Sequence, residues 1–263
     1  MSHKYNLLLL ENKVCVITGA ASLRSIGYAT AELFAAHGAK IALLDIAMNE
    51  QIANEISTSI TAQIGYTPEF LPVQCDICRA ADCDKAIETI VSKFGTIDCL
   101  VNSAGIVKSG GLLSITEREY DTIIEVNLKG TFNICKSALK IFAEKQSGVI
   151  VNLASLAAQR GGGLVGGAHY AASKGGVISL TRSIAREFAH YGIRANVICP
   201  AMIETNMLDG LTEEQLKEVI SAIPLKRVGK AYELAGTCLF LASALSGFTT
   251  GATIDVNGGI QIH

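Results

Sequence analysis

The chain has 263 residues, 49% hydrophobic and 17% charged, a balance that supports a sizeable buried core and excludes a disordered chain. Its formal net charge of -2 and the lack of any basic run remove the electrostatic attraction that nucleic acid or an anionic membrane surface requires. The expected partner is a small-molecule substrate, with no nucleic acid and no membrane, and the length suits one large α/β domain over residues 1–263.

The apolar cluster Leu7 to Leu10 is too short for a signal segment or a membrane span. Eight cysteines sit mostly inside apolar runs, the usage of a reducing compartment, so a cytoplasmic location is expected. Cys75 and Cys78 form a C-x-x-C with Cys83 nearby, but no second such pair or histidine cluster completes a ligand set, and no metal site is expected.

In chain order, apolar β-branched runs alternate with helical periodicity. Strands are predicted at Lys13 to Ile17, Lys40 to Leu44, Phe70 to Gln74, Cys99 to Val101, Val149 to Leu153, Arg194 to Cys199 and Thr253 to Val256, with helical patterns such as Ala29, Leu33, Ala36 between them. Strand then helix, repeated, implies right-handed crossovers and a parallel sheet covered on both faces. The expected fold is α/β: a doubly wound, Rossmann-like single domain of about seven strands. Residues 201–227 break the rhythm with a long insertion, amphipathic around Leu216, Val219 and Ile220. Its place at the carboxyl side of the sheet makes it the expected substrate lid.

After the first strand, the turn from Thr18 through Gly19 to Gly27 leads straight into the helical pattern Tyr28 to Leu33. Small residues there let the backbone approach a pyrophosphate, whose charge the helix N-terminal amides stabilise. Asp45 closes the second strand, where a carboxylate accepts from both adenosine ribose hydroxyls and repels a 2′-phosphate. The expected cofactor is therefore NAD rather than NADP. Arg24, within the turn, has the length to reach a phosphate; the plainer alternative is an exposed loop arginine.

Tyr170 and Lys174 are spaced i, i+4 in a helical segment, so phenol and ammonium stand on one face. A cation beside a phenol favours the phenolate, an effect the positive oxidised nicotinamide would reinforce, and suits Tyr170 to general acid and base work. An isolated pair at this spacing is commonly a solvated surface feature. Here Ser155 ends the fifth predicted strand and Asn127 lies on the preceding long helix, predicted from Glu117 to Glu144. With these residues in place the sequence resembles the short-chain dehydrogenase/reductase family over nearly its whole length.

The resemblance implies that Tyr170 is the catalytic tyrosine and that Lys174 also bonds the nicotinamide ribose. It implies that Ser155 holds the substrate oxygen and that Asn127 keeps a water in a proton relay. Asn102, Ala104 and Gly105 match the turn beside the cofactor, Asp76 the acid that contacts adenine, and Pro200, Ile203 and Thr205 the segment that holds the carboxamide. The turn bearing Gly19, Ser25, Ile26 and Gly27 is two residues longer than the family's pattern, with Ser25 where the middle glycine would fall, so an altered loop path is expected. Ser103 and Ala201 replace the family's usual asparagine and glycine. The interval from Ser155 to Tyr170 is also lengthened and glycine-rich, predicting a flexible or closely approached wall at the substrate mouth.

Candidate pocket residues are Gln159, Arg160, His169, Met202, Asn206 and Met207, and the polar ones point to a polyol, sugar or other small polar hydroxy compound. Two further readings stand beside this one. A 3-oxoacyl thioester reductase would call for NADP and a basic docking patch, and a non-catalytic NAD-binding sensor would not need all four of Asn127, Ser155, Tyr170 and Lys174. Wide apolar coverage of the helix from Glu117 to Glu144 and of the helix after Tyr170, together with the resemblance, implies a homotetramer built on these two.

Overall fold

The structure is a computed structural model that describes residues 8–163 and 165–262; the predicted domain limits at 1 and 263, and Leu7 of the apolar cluster, lie outside these. The first half of the chain alternates β1 (Val14–Thr18), α1 (Ile26–Ala36), β2 (Lys40–Asp45), α2 (Glu50–Ile64), β3 (Phe70–Gln74), α3 (Ala80–Phe94) and β4 (Cys99–Asn102). The second half runs α4 (Glu117–Ile124), α5 (Thr131–Lys145), β5 (Gly148–Leu153), α6 (Ala157–Arg160), α7 (Ala168–Phe188), β6 (Ile193–Pro200), β7 (Ile203–Glu204), α8 (Glu213–Ala222), β8 (Gly229–Lys230), α9 (Ala231–Ala242) and β9 (Thr253–Val256). Seven strands form one sheet in the order β3-β2-β1-β4-β5-β6-β9, all pairs parallel. The predicted strands differ from the observed ones by a residue at some ends.

Alternation along β1 shows how the two layers form. Cys15 and Ile17 join the core with Phe34 of α1, Ile56 of α2 and Leu234 of α9, whereas Val14 and Val16 join Ile87 of α3, Phe142 of α5 and Ile184 of α7 on the other face. Period two along a strand thus becomes two cores. Each fully buried Leu, Ile or Phe contributes about 1.5–3 kcal/mol relative to exposure. The strand order reverses between β1 and β4, and their carboxyl ends open a crevice at that switch point.

The long helix predicted from Glu117 to Glu144 is interrupted. Between α4 and α5, residues Glu125–Gly130 widen into a π-helical turn, the kind of irregularity that often marks a functional position. There Asn127, fully buried, donates both amide hydrogens to partners outside its own helix and accepts through its oxygen from another, while Gly130 lies so close to Ile77 that a Cβ would come within 2.7 Å of its side chain. Most of the apolar coverage expected to face a partner is absorbed by the chain itself, since Ile134, Leu139, Phe142, Val177 and Ile184 are buried.

The insertion at 201–227 is partly ordered into short elements. A two-residue parallel ladder pairs Ile203 with Gly229 and Glu204 with Lys230, closing its base. Within it, Thr212 and Gln215 form a reciprocal capping box that starts α8. Among the described residues no helix is long and apolar enough to cross a membrane.

Candidate active site

Sheet topology places the ends of β4, β5 and β6, and the start of α7, around a cavity of about 450 Å³. Ser155, two residues past the end of β5, has its hydroxyl occupied in part by the Ala157 amide, 3.1 Å away. Tyr170 and Lys174 line the same cavity with Ser155, and the Ser155 side chain lies close enough to the Tyr170 phenol to favour its ionised form.

Burial acts on the pair in opposite directions. It pushes the Tyr170 phenol above its ordinary value, partly opposed by the nearby Ser155 side chain, and it pulls the Lys174 ammonium down to about 8. Among the chain's own groups, loss of solvent therefore outweighs the mutual attraction expected from the i, i+4 spacing. Lys174 Nζ donates to the Leu153 carbonyl at 2.9 Å, which holds it at the end of β5.

Asn127 lies behind this pair. Its Oδ1 accepts from the Ile106 amide at 2.8 Å, and its Nδ2 donates to the Ile106 carbonyl at 2.9 Å and to Ser173 Oγ at 3.0 Å. Ser173 in turn donates to the Tyr170 carbonyl at 2.7 Å. A Cβ on Gly105 would lie 3.1 Å from Asn127 Oδ1 and 3.2 Å from Lys174 Nζ, so the glycine keeps the space between them open.

The glycine-rich stretch before α7 is a closely approached wall. Gly166, at φ +109, sits where a Cβ would come within 2.5 Å of the Tyr170 ring. Its amide donates to Ser109 Oγ and that of Gly167 to the Lys108 carbonyl.

The nucleotide half of the crevice begins at Gly19, at φ +73, where a Cβ would meet the Ala104 backbone at 2.5 Å; any side chain there would separate β1 from β4. Gly27 is equally constrained, 2.5 Å from the Gly19 carbonyl by the same measure. Ser25 stands at the N-cap of α1, its hydroxyl accepting from the Tyr28 amide at 3.0 Å. The lengthened turn thus still ends on an open helix N-terminus.

Asp45 accepts from the Ala21 and Ala47 amides at 3.1 and 3.0 Å, bracing the turn, and its two oxygens retain further lone pairs. Asp76 accepts from the Cys78 amide at 3.0 Å. The helix N-terminus, the small-residue turn and the acid closing β2 fit a dinucleotide.

Several expected residues do not line the cavity. The Asn102 side chain is buried and donates to Asn152 Oδ1 at 2.7 Å, joining β4 to β5, and Ala104 binds the Thr18 hydroxyl through its amide. Gln159 donates to Asp255 at 2.8 Å. His169 is buried with neither ring nitrogen partnered, and Asn206 donates to Ser22. None of these three lines the cavity, whereas Ile26, Gly105, Pro200, Ile203, Thr205, Arg160, Met202 and Met207 do.

The lining also includes Val219, which the sequence reading placed in the lid, and Val107, Leu156, Val165, Ile223 and Ile260, which it missed. Their only signal was an apolar residue in a loop at the carboxyl edge of the sheet. Arg24 is an exposed loop arginine, the plainer of the two predicted readings, and pairs with Asp209.

A doubly wound sheet carrying a hydroxyl, a phenol and an ammonium at its carboxyl edge, beside a nucleotide cradle, defines a nicotinamide-dependent oxidoreductase. Comparison with known proteins agrees. A family model described as enoyl-(acyl carrier protein) reductase matches residues 19–261. An uncharacterized short-chain type dehydrogenase/reductase of Sinorhizobium fredii is 41% identical, covering 97% of this chain and all of that protein. The 3-oxoacyl-(acyl-carrier-protein) reductase FabG of Thermotoga maritima is 40% identical, over 96% of this chain and 99% of its own. The crystal structure of gox2181 superposes with a TM-score of 0.90 at 30% identity, covering 96% of this chain and 97% of that one. The chain belongs to the short-chain dehydrogenase/reductase family.

Proposed function

We propose that the protein is an NAD-dependent alcohol dehydrogenase or carbonyl reductase interconverting a secondary alcohol and a ketone. The observation that carries this reading is the shared placement of Ser155, Tyr170 and Lys174 on one cavity. Ser155 and Tyr170 hold the substrate oxygen by their hydroxyls. During reduction Tyr170 releases its proton to that oxygen, and during oxidation it recovers it. Lys174 places positive charge where the phenolate and alkoxide develop. Asn127, behind Gly105, orders a water that returns protons to Lys174. Bound nicotinamide supplies or accepts the hydride.

In this reading the turn from Gly19 through Ser25, Ile26 and Gly27 receives the pyrophosphate, Asp45 the adenosine ribose and Asp76 the adenine. Asn102 contributes through its backbone at the end of β4, with Ala104 and Gly105 beside it, and Pro200, Ile203 and Thr205 flank the nicotinamide. Asp45 supports NAD over NADP by like-charge repulsion of a 2′-phosphate. Residues 201–227 act as the substrate lid, bringing Met202, Met207 and Val219 to the cavity. Eight free thiols support a cytoplasmic location.

The polar substrate expected from the sequence rests on Arg160 alone among the three polar residues nearest Ser155 and Tyr170. The largely apolar lining favours a second reading, a substrate with an apolar body such as a 3-oxoacyl thioester, in keeping with the relatives named for that reaction. The test is reduced-nicotinamide absorbance with NAD(H) or NADP(H) and a panel of polyols, sugars, hydroxy acids, secondary alcohols and acetoacetyl thioesters. Turnover of polyols or sugars with NAD(H) supports the first reading, and turnover of the thioester alone selects the second. NAD binding without any turnover selects the sensor.

A further inference from the structure

Residues of the turn after β1 reach across to the segment that follows β7. Arg24 Nη1 donates to Asp209 Oδ2 at 3.0 Å and Nη2 to Asp209 Oδ1 at 2.7 Å, a forked pairing between residues 185 positions apart. Beside it, Asn206 Nδ2 donates to Ser22 Oγ at 3.0 Å, and Glu204 adds a second negative charge near the guanidinium. Both side chains of the ion pair are about half exposed, at 54% and 55%, and an exposed pair contributes little to folding. What the contacts join is specific. Ser22 and Arg24 lie in the turn that receives the pyrophosphate, while Thr205, Asn206 and Asp209 lead from the nicotinamide end into α8.

We propose that Arg24 is a positioning residue: paired with Asp209, it clamps the 201–227 segment across the bound dinucleotide and sets how fast that dinucleotide leaves. The clamp also commits the guanidinium to a carboxylate of the lid, so that Arg24 does not act as a 2′-phosphate ligand and the preference for NAD rests with Asp45. This inference rests on the proposed dinucleotide site.

The test compares the wild type with Arg24→Gln, Asp209→Asn and the double variant in two measurements. Hydrogen exchange of the amides of residues 205–223, in the protein alone, reads the clamp without any cofactor. Stopped-flow fluorescence reads NADH dissociation at low and high salt. Each single variant is expected to speed exchange in the segment and NADH release by about five-fold, the upper end of what one exposed pair supports. The double variant is expected to be no faster than either single one, because both remove the same bond. Added salt should speed release from the wild type and leave the variants unchanged.

Equal exchange in wild type and variants overturns the clamp. Faster exchange with unchanged NADH release overturns its role in holding the dinucleotide. Failure of wild type to bind NADH overturns the retention role together with the cofactor reading, and the exchange measurement still decides whether the clamp itself exists.

Discussion

Tyr170 and Lys174 stand one turn apart on α7, and burial raises the phenol while lowering the ammonium to about 8. A phenol with a raised pKa stays protonated at neutral pH and is loaded as the acid for carbonyl reduction. The ammonium, in contrast, is charged below about pH 8 and lost above it. The expected profile of kcat/KM for reduction at saturating NADH is level near neutrality and falls above about pH 8. A flat profile through the alkaline range would remove the Lys174 cation from the step. Replacing Tyr170 with Phe keeps the ring that packs against Gly166 and deletes only the proton. Turnover is expected to drop at least about 100-fold, in the range general acid catalysis supplies, with NADH binding retained by fluorescence titration; unchanged turnover would exclude Tyr170 as the acid.

At the scale of elements, the π-helical turn between α4 and α5 and the bonds of Asn127 are one arrangement. Asn127→Ala would remove the partner of the Ile106 amide and carbonyl, two half-buried bonds, at a net cost of about 0.5–1.5 kcal/mol for each bond lost. The expected result is a lower denaturation midpoint with an unchanged m-value, together with reduced turnover because the space beside Gly105 and Lys174 loses its polar wall. An unchanged midpoint would show that these bonds contribute nothing net. The sequence pattern supported a helix across this region, since residue spacing continues through the turn. The interruption depends on a partner at Ile106 that periodicity does not register.

At the scale of the whole molecule, the chain buries most of the apolar surface of α5 and α7 on itself, yet Phe132 remains 47% exposed and Leu113 and Phe248 fully so. Burying such side chains between copies is favourable at about 25 cal/mol per Å², and we expect a homotetramer with a scattering mass near four chains; a single-chain mass would exclude it.

The sequence by itself determined the alternation of strands and helices, because periods of two and of 3.6 residues follow from backbone geometry. It also determined the Gly19 turn, the acid closing β2 and the Tyr170–Lys174 pair, because these are local spacings. Only the tertiary structure decided that Gln159 and His169 do not line the cavity, that its wall is mostly apolar, and that Arg24 spans to Asp209. Each of these depends on segments distant in sequence meeting in space, and on desolvation, which acts on a residue through its neighbours in the fold rather than its neighbours in the chain.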